Sequence, residues 1–260
     1  MLRFGPNRAG SYRNGETVSR IPPDVSVVVP VYNEEARVRT AIERVLELSF
    51  VEEVIVVNDG STDNSRQVLL EFSDPRLIII EIPENRGKGA ALRRGFAQAS
   101  GAFVAIHDAD LEYDPAEIER LLIPLRDGRA DVVYGSRFVG SEEHRVLYYW
   151  HNVGNSFLTT FSNMCTNLNL TDMETCTKVF KREVIQSIEL TEDRFGFEPE
   201  VTAKIAQRRD RVYEVGISYS GRTYAEGKKI DWRDGIRAVW VIGKNAPFLN
   251  KRVKRKRRCS

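Results

Sequence analysis

Five short apolar runs, each followed by a segment with helical spacing, constrain this chain more than any other feature. Val25-Ser26-Val27-Val28-Val29-Pro30-Val31 is β-branched and too short for a helix, so it reads as a buried strand. Val54–Val57, Arg76–Ile82, Phe103–Ile106 and Val132–Tyr134 repeat the pattern. Between them the spacing predicts helices over Glu34–Leu48, with Val38, Ile42, Val45 and Leu46 on one face, over Asp63–Phe72, capped near Ser61–Asp63, and over Gly87–Ala99. A further helix opens at Asp114-Pro115, where proline suits a helix start, and turns Ile118, Leu121, Leu122 and Leu125 inward. Strands alternating with helices of this length predict βαβ units. The fold class is therefore α/β: a Rossmann-like, mostly parallel sheet flanked by helices, in a single domain with peripheral amphipathic helices.

Composition narrows the class further. With 260 residues, 42% hydrophobic and 29% charged, the chain can bury a full core without disulfide or metal staples. No run approaches the roughly 18–20 apolar residues of a membrane span, and the first residues have no apolar signal region. Cys165, Cys176 and Cys259 match no metal or disulfide spacing, so a reducing, cytoplasmic setting is expected. Seven of the last ten residues are basic and none is acidic. Subtracting them from the net +2 leaves −5 on residues 1–250, so the basic surplus is a tail. With no RNA-binding motif elsewhere, nucleic acid is not an expected partner. The organisation expected is a flexible arm at 1–23, one folded domain at 24–235, an amphipathic segment at 236–250 and the basic tail at 251–260.

In parallel sheets ligands bind beyond the carboxyl ends of the strands. The segments there are Pro30-Val31-Tyr32-Asn33-Glu34, Asn58-Asp59-Gly60-Ser61-Thr62-Asp63, Asn85-Arg86-Gly87-Lys88-Gly89, Asp108-Ala109-Asp110 and Gly135-Ser136-Arg137-Phe138. Taken singly, each is turn or cap chemistry. Gly87-Lys88-Gly89 is not a Walker loop, because G-x-x-x-x-G-K-[ST] is absent. Five such segments at five consecutive strand ends point to one polar site. Carboxylates spaced i, i+2 suit a hard divalent cation, which can neutralise a diphosphate leaving group. Arg and Lys pair with phosphate. These are the parts of a nucleotide-diphosphate site.

The series Pro30-x-Tyr32-Asn33-Glu34, Asn58-Asp59-Gly60-Ser61-x-Asp63, Asn85-x-Gly87-Lys88-Gly89, Asp108-x-Asp110 and Gly135-Ser136-Arg137-Phe138 resembles the family 2 glycosyltransferases of the GT-A fold. Within them it is similar to the polyprenyl- (dolichyl-) phosphate hexose synthases, over about residues 24–235. The resemblance implies that Pro30, Tyr32 and Glu34 line the nucleoside pocket, that Asp59 faces the base, and that Lys88 and its glycines close the pocket. It implies Asp108 and Asp110 as ligands of Mg2+ or Mn2+, with Glu198 of Phe195-Gly196-Phe197-Glu198 as the third. It places Arg137, with Arg145, at the acceptor phosphate. Thr171-Asp172-x-x-Thr175-Cys176-x-Lys178 is similar to a family segment in which Gly stands where this chain has Cys176. Arg222-x-x-x-Glu226-Gly227-Lys228-Lys229 is similar to the late basic loop, so Arg222 with Lys228 or Lys229 would touch the donor diphosphate.

The implied reaction is inverting transfer of a hexose from a nucleotide-diphosphate sugar to a polyprenyl phosphate. UDP-glucose and GDP-mannose both fit as donor, and the Glu226-Gly227-Lys228-Lys229 form favours UDP-glucose. A phosphate acceptor is already ionised near neutral pH and needs no strong base. A hydroxyl acceptor would need one, from Asp172 or Glu174. Three other readings are a transferase using a soluble or glycan hydroxyl, a nucleotidyltransferase, and a non-catalytic sugar-nucleotide-binding partner of a membrane protein. The second lacks its glycine-rich basic first loop. The intact Asp108/Asp110 pair argues against the third.

Val146, Trp150, Val153, Phe157, Phe161, Met164 and Leu168 are spaced 4, 3, 4, 4, 3, 4 and predict one helical stripe. It would either pack on the catalytic domain or lie in a membrane interface with Tyr148, Tyr149 and Trp150 at headgroup level. Trp232, Ile236, Val239 and Trp240 form a second such stripe. With the basic tail attracted to anionic lipid, the expected location is peripheral, on the cytoplasmic face of a membrane.

Overall fold

A computed structural model describes residues 23–140, 145–146, 148–222 and 232–246. The elements run β1 (Val25–Val31), α1 (Val38–Leu46), β2 (Val51–Asp59), α2 (Ser65–Leu70), β3 (Leu77–Ile82), α3 (Lys88–Gln98), β4 (Phe103–Ile106), α4 (Ile118–Arg126), β5 (Val132–Ser136), α5 (Tyr149–Thr166), β6 (Lys178–Lys181), α6 (Arg182–Gln186), α7 (Phe197–Arg208), β7 (Val212–Gly216) and α8 (Trp232–Asn245). All five predicted strands form.

The strands make one seven-stranded sheet in the order β3-β2-β1-β4-β6-β5-β7. Every pairing is parallel except the two made by β6. β1 is buried on both faces: Val27 and Val29 join the core under α1 and α4, while Val28 joins the core under α3 and α7. A strand sealed on both sides has no reason to alternate, which is why it reads as a continuous apolar run. The chain leaves β1 toward β2 on one side, while β4 lies on the other. That reversal opens a crevice between the ends of β1 and β4.

The helix expected from Glu34 begins only at Val38. The amides of residues 33–35 are claimed from outside the helix. Asn33 N–H donates to Ser61 Oγ at 3.0 Å, Glu34 N–H to Ser65 Oγ at 2.9 Å and Glu35 N–H to Asp63 Oδ2 at 3.1 Å. These bonds hold Tyr32–Glu34 as a loop beside the crevice. Similarly, Asp63 Oδ1 accepts from Ser65 N–H at 2.9 Å, and α2 starts at Ser65.

The predicted stripe lies on α5, and it faces outward. Trp150 is 78% exposed, Phe157 59% and Met164 72%, whereas Thr159, Ser162 and Thr166 are buried. Phe161 and Leu168 are half-buried against the core. α8 is continuous through residue 235, burying Ala238, Val241 and Ile242 and exposing Ile236 and Trp240. Among the described residues no helix is long and apolar enough to cross a membrane. The expected arm (to residue 22), Lys228, Lys229 and the basic tail lie outside the described residues.

Candidate active site

Beyond the strand ends lies one cavity of about 1080 Å³. Along the sheet edge its lining follows the strand order: Asp59 at the end of β2, Pro30 and Tyr32 at the end of β1, Asp108 and Asp110 after β4, and Arg137 after β5, with Glu198 and Arg145 also in the wall. Val146, Tyr149 and Trp150 at the start of α5 line it too. The structure thus brings together every predicted site residue that lies within its described part.

Asp59 is buried and holds a turn as well as lining the cavity. Its carboxylate accepts from Arg86 N–H at 2.9 Å and Gly87 N–H at 2.6 Å. Gly87 has φ +103°, a conformation glycine adopts without strain. A Cβ on Gly89 would lie 2.2 Å from the Glu192 carbonyl oxygen. The two glycines therefore let the start of α3 press against residues 192–194, and this close approach delivers Lys88 into the cavity.

Lys88 is the hub of one charge network in the cavity. Its Nζ lies 2.8 Å from Asp108 Oδ2, 3.4 Å from Glu198 Oε1 and 3.1 Å from Cys176 Sγ. Burial alone would lower its pKa, but Asp108, Cys176 and Glu198 hold it well above the usual lysine value. Burial would likewise raise Asp108, yet the Lys88 ammonium keeps its carboxyl below the ordinary range. Cys176 is pushed well up by burial and then by Asp108, so it is a thiol here.

A second network surrounds Asp110. Arg222 reaches Asp110 at 3.0 Å, Glu112 at 2.9 Å and Glu34 at 3.5 Å. Burial, then the charges of Asp108 and Glu112, push Asp110 up to about 7. Glu112 was missed in the sequence, although it stands two residues beyond Asp110. Its carboxylate also accepts from the Tyr219 hydroxyl at 2.8 Å.

The donor chemistry fits a divalent cation: Asp108 Oδ1 is a buried oxygen with no hydrogen-bond partner, beside the Asp110 carboxylate in one cavity. As they stand, Asp108, Asp110 and Glu198 are not gathered into a ligand set. Among the described residues no group of three His, Cys, Asp or Glu is placed to hold a metal ion. Lys88 lies between Asp108 and Glu198, and Arg222 engages Asp110.

Just after β5, Arg137 is clamped by Asp172, Nε to Oδ2 at 2.6 Å and Nη2 to Oδ1 at 2.7 Å. Its guanidinium stacks 5.1 Å from the Tyr219 ring centre. Burial opposes ionisation of Asp172, but Arg137 holds its carboxyl below the usual range. An acid so committed is a poor general base. Glu174 differs: burial, then the charge of Glu198, push it up to about 8. Arg145 donates from Nη1 to the Gly221 carbonyl at 3.0 Å.

His107, just before Asp108, is buried, and burial lowers its pKa from 6.5 to about 4. The folded state resists protonating it, so its contribution to stability is intact above pH 6.5 and is lost as pH falls toward 4. We expect this to account for about 3 kcal/mol of acid destabilisation. Urea unfolding at pH 7 and near pH 4 should show a smaller loss in His107→Gln than in the parent; equal losses would refute the assignment.

The family model for Glycosyl transferase family 2 matches residues 26–189. Agl6 of Haloferax volcanii, the low-salt glycan biosynthesis hexosyltransferase, is 32% identical over 233 residues, covering 88% of this chain and 55% of the relative. The undecaprenyl-phosphate 4-deoxy-4-formamido-L-arabinose transferase of Proteus mirabilis is 31% identical over 211 residues, covering 78% and 62%. This chain thus spans less than two thirds of either relative. Glucosyl-3-phosphoglycerate synthase from Mycobacterium tuberculosis, solved with Mn2+ and UDP-glucose, shares the fold: TM-score 0.69 at 20% identity, covering 90% of this chain and 85% of that one.

Proposed function

This chain belongs to glycosyl transferase family 2, and from that premise we propose that it moves a hexose from a nucleotide sugar to a polyprenyl phosphate, with inversion and with Mg2+ or Mn2+. One observation carries the reading. One cavity is lined by Tyr32 and Asp59, by Asp108 and Asp110 and by Arg137, which follow one another along the sheet edge, and by the exposed aromatic start of α5. That sequence of surfaces suits a nucleoside, a diphosphate, an acceptor phosphate and its lipid tail, in that order. Two relatives agree in kind: one is named a hexosyltransferase and the other acts with undecaprenyl phosphate.

The residues then take these roles. Tyr32, Pro30 and Asp59 receive the nucleoside. Asp108 and Asp110 would hold the cation, with Glu198 as a third ligand. When bound, the cation neutralises the diphosphate as it leaves. Arg222 moves from the carboxylates to the diphosphate, joined by Lys228 or Lys229. Arg137, oriented by Asp172 and with Arg145 nearby, holds the acceptor phosphate. A phosphate oxygen attacks the sugar's C1 and the nucleoside diphosphate departs on the opposite face. Catalysis rests on placing the two anions in line and neutralising them. The deciding assay offers labelled UDP-glucose, UDP-galactose, UDP-N-acetylglucosamine and GDP-mannose, with and without polyprenyl phosphate. A lipid-extractable product that requires the lipid supports the reading. Products formed only on a soluble acceptor would overturn it.

The outward apolar face of α5 supports a peripheral seat on a membrane, with the basic tail assisting on the cytoplasmic face. Burying one large aromatic is worth about 1.5–3 kcal/mol. Trp150→Ser with Phe157→Ser should therefore weaken binding to anionic lipid vesicles by at least about tenfold. Both residues are exposed, so Tm should hold. Unchanged vesicle flotation would remove α5 from the membrane contact.

A further inference from the structure

The scheme above leaves Glu174 without a role. Its side chain lines the cavity, and its Oε1 is buried with no hydrogen-bond partner. Two other carboxylate oxygens in the same cavity share that state, Asp108 Oδ1 and Glu198 Oε2. Glu174 lies within electrostatic reach of Glu198 on the donor side and of Arg137 and Asp172 on the acceptor side. It therefore stands at the seam where transfer would occur.

Held protonated near neutral pH by burial and Glu198, Glu174 offers an O–H donor and a carbonyl acceptor, so a partner that serves both must itself donate and accept. The diphosphate and the acceptor phosphate present chiefly acceptor oxygens, and a polyprenyl chain presents no polar group. The nucleoside belongs with Tyr32 and Asp59, at the ends of β1 and β2. Only the hexose brings neutral hydroxyl donors to the seam. We infer that Glu174 accepts a hydrogen bond from a hydroxyl of the transferred hexose and so selects which hexose is used. The inference rests on the proposed function and adds a specificity residue to it. A site built to bond a hydroxyl rejects a sugar lacking it, because its own polar group is then left unpaired.

The test compares wild type, Glu174→Gln and Glu174→Ala on the best donor of the four above and on its monodeoxy analogues. For the parent donor, kcat/KM should fall about 10- to 100-fold in Glu174→Ala. For one deoxy analogue it should barely change, so discrimination at that hydroxyl collapses. Glu174→Gln, which keeps an acceptor oxygen, should lie between. KM for polyprenyl phosphate should stay the same. A uniform fall across all analogues, or an effect confined to the lipid KM, would overturn the inference. If wild type makes no lipid-linked product from any donor, it is the acceptor assignment that fails. The same deoxy series read as donor binding by calorimetry then still decides the role of Glu174.

Discussion

Asp110→Ala should lower formation of the lipid-linked hexose by about 10³-fold, the scale on which removing one centre of charge stabilisation acts. Asp110 faces Arg222 and lies two residues beyond Asp108 and two before Glu112, so it is the carboxylate on which the site's cationic and anionic groups converge. The same crowding gives the effect a pH signature. Asp110 is pushed up to about 7, and a cation must displace its proton. Mn2+ affinity should therefore rise as pH increases through 7, with proton release on binding, and calorimetry in buffers of different ionisation enthalpy reads both. Substantial lipid product from Asp110→Ala would remove Asp110 from the catalytic centre. Mn2+ affinity independent of pH would remove it from the metal site.

Arg137→Ala should strongly destabilise the fold. Asp172 is 0% exposed, and its charge is balanced by the Arg137 fork at 2.6 and 2.7 Å. Removing one partner of a buried pair costs about 3–5 kcal/mol, which in a domain of this size lowers Tm by roughly 10 °C. Activity should fall as well, because Arg137 would orient the acceptor phosphate. The double variant Arg137→Met with Asp172→Leu separates the two effects: replacing both charges by apolar groups should return most of the stability and none of the transfer. Recovery of activity together with stability would mean that Arg137 is only a structural residue. A Tm unchanged in Arg137→Ala would contradict the buried pair itself.

Much of the fold was legible because β1 to β5 are compact apolar runs and the helices between them carry a 3.6-residue period. β6 was not. Lys178-Val179-Phe180-Lys181 is four residues long and carries two lysines, yet it runs antiparallel between β4 and β5. Nothing local marks such a strand; the open space between two neighbours selects it. α1 began four residues late for a similar reason: Asn33 adopts φ +53°, and side chains some 28 residues away bond residues 33 and 35 into a loop. In the site, Asp108, Asp110, Lys88 and Arg137 were visible as types at strand ends. Their partners were not visible as partners. Arg222 meets Asp110 across 112 residues, and Lys88 meets Cys176 across 88.

Two properties were therefore determined by the sequence alone: the α/β architecture with its polar strand ends, and the phase of the apolar stripe around α5. Periodicity measures which residues share a face, and it is complete within one element. It carries no information on which way that face turns. The tertiary structure decided this, sealing Thr159, Ser162 and Thr166 against the domain and leaving Trp150, Phe157 and Met164 outside. It also decided which cation neutralises which carboxylate, because a charge pair depends on distance in space, and distance along the chain does not set it.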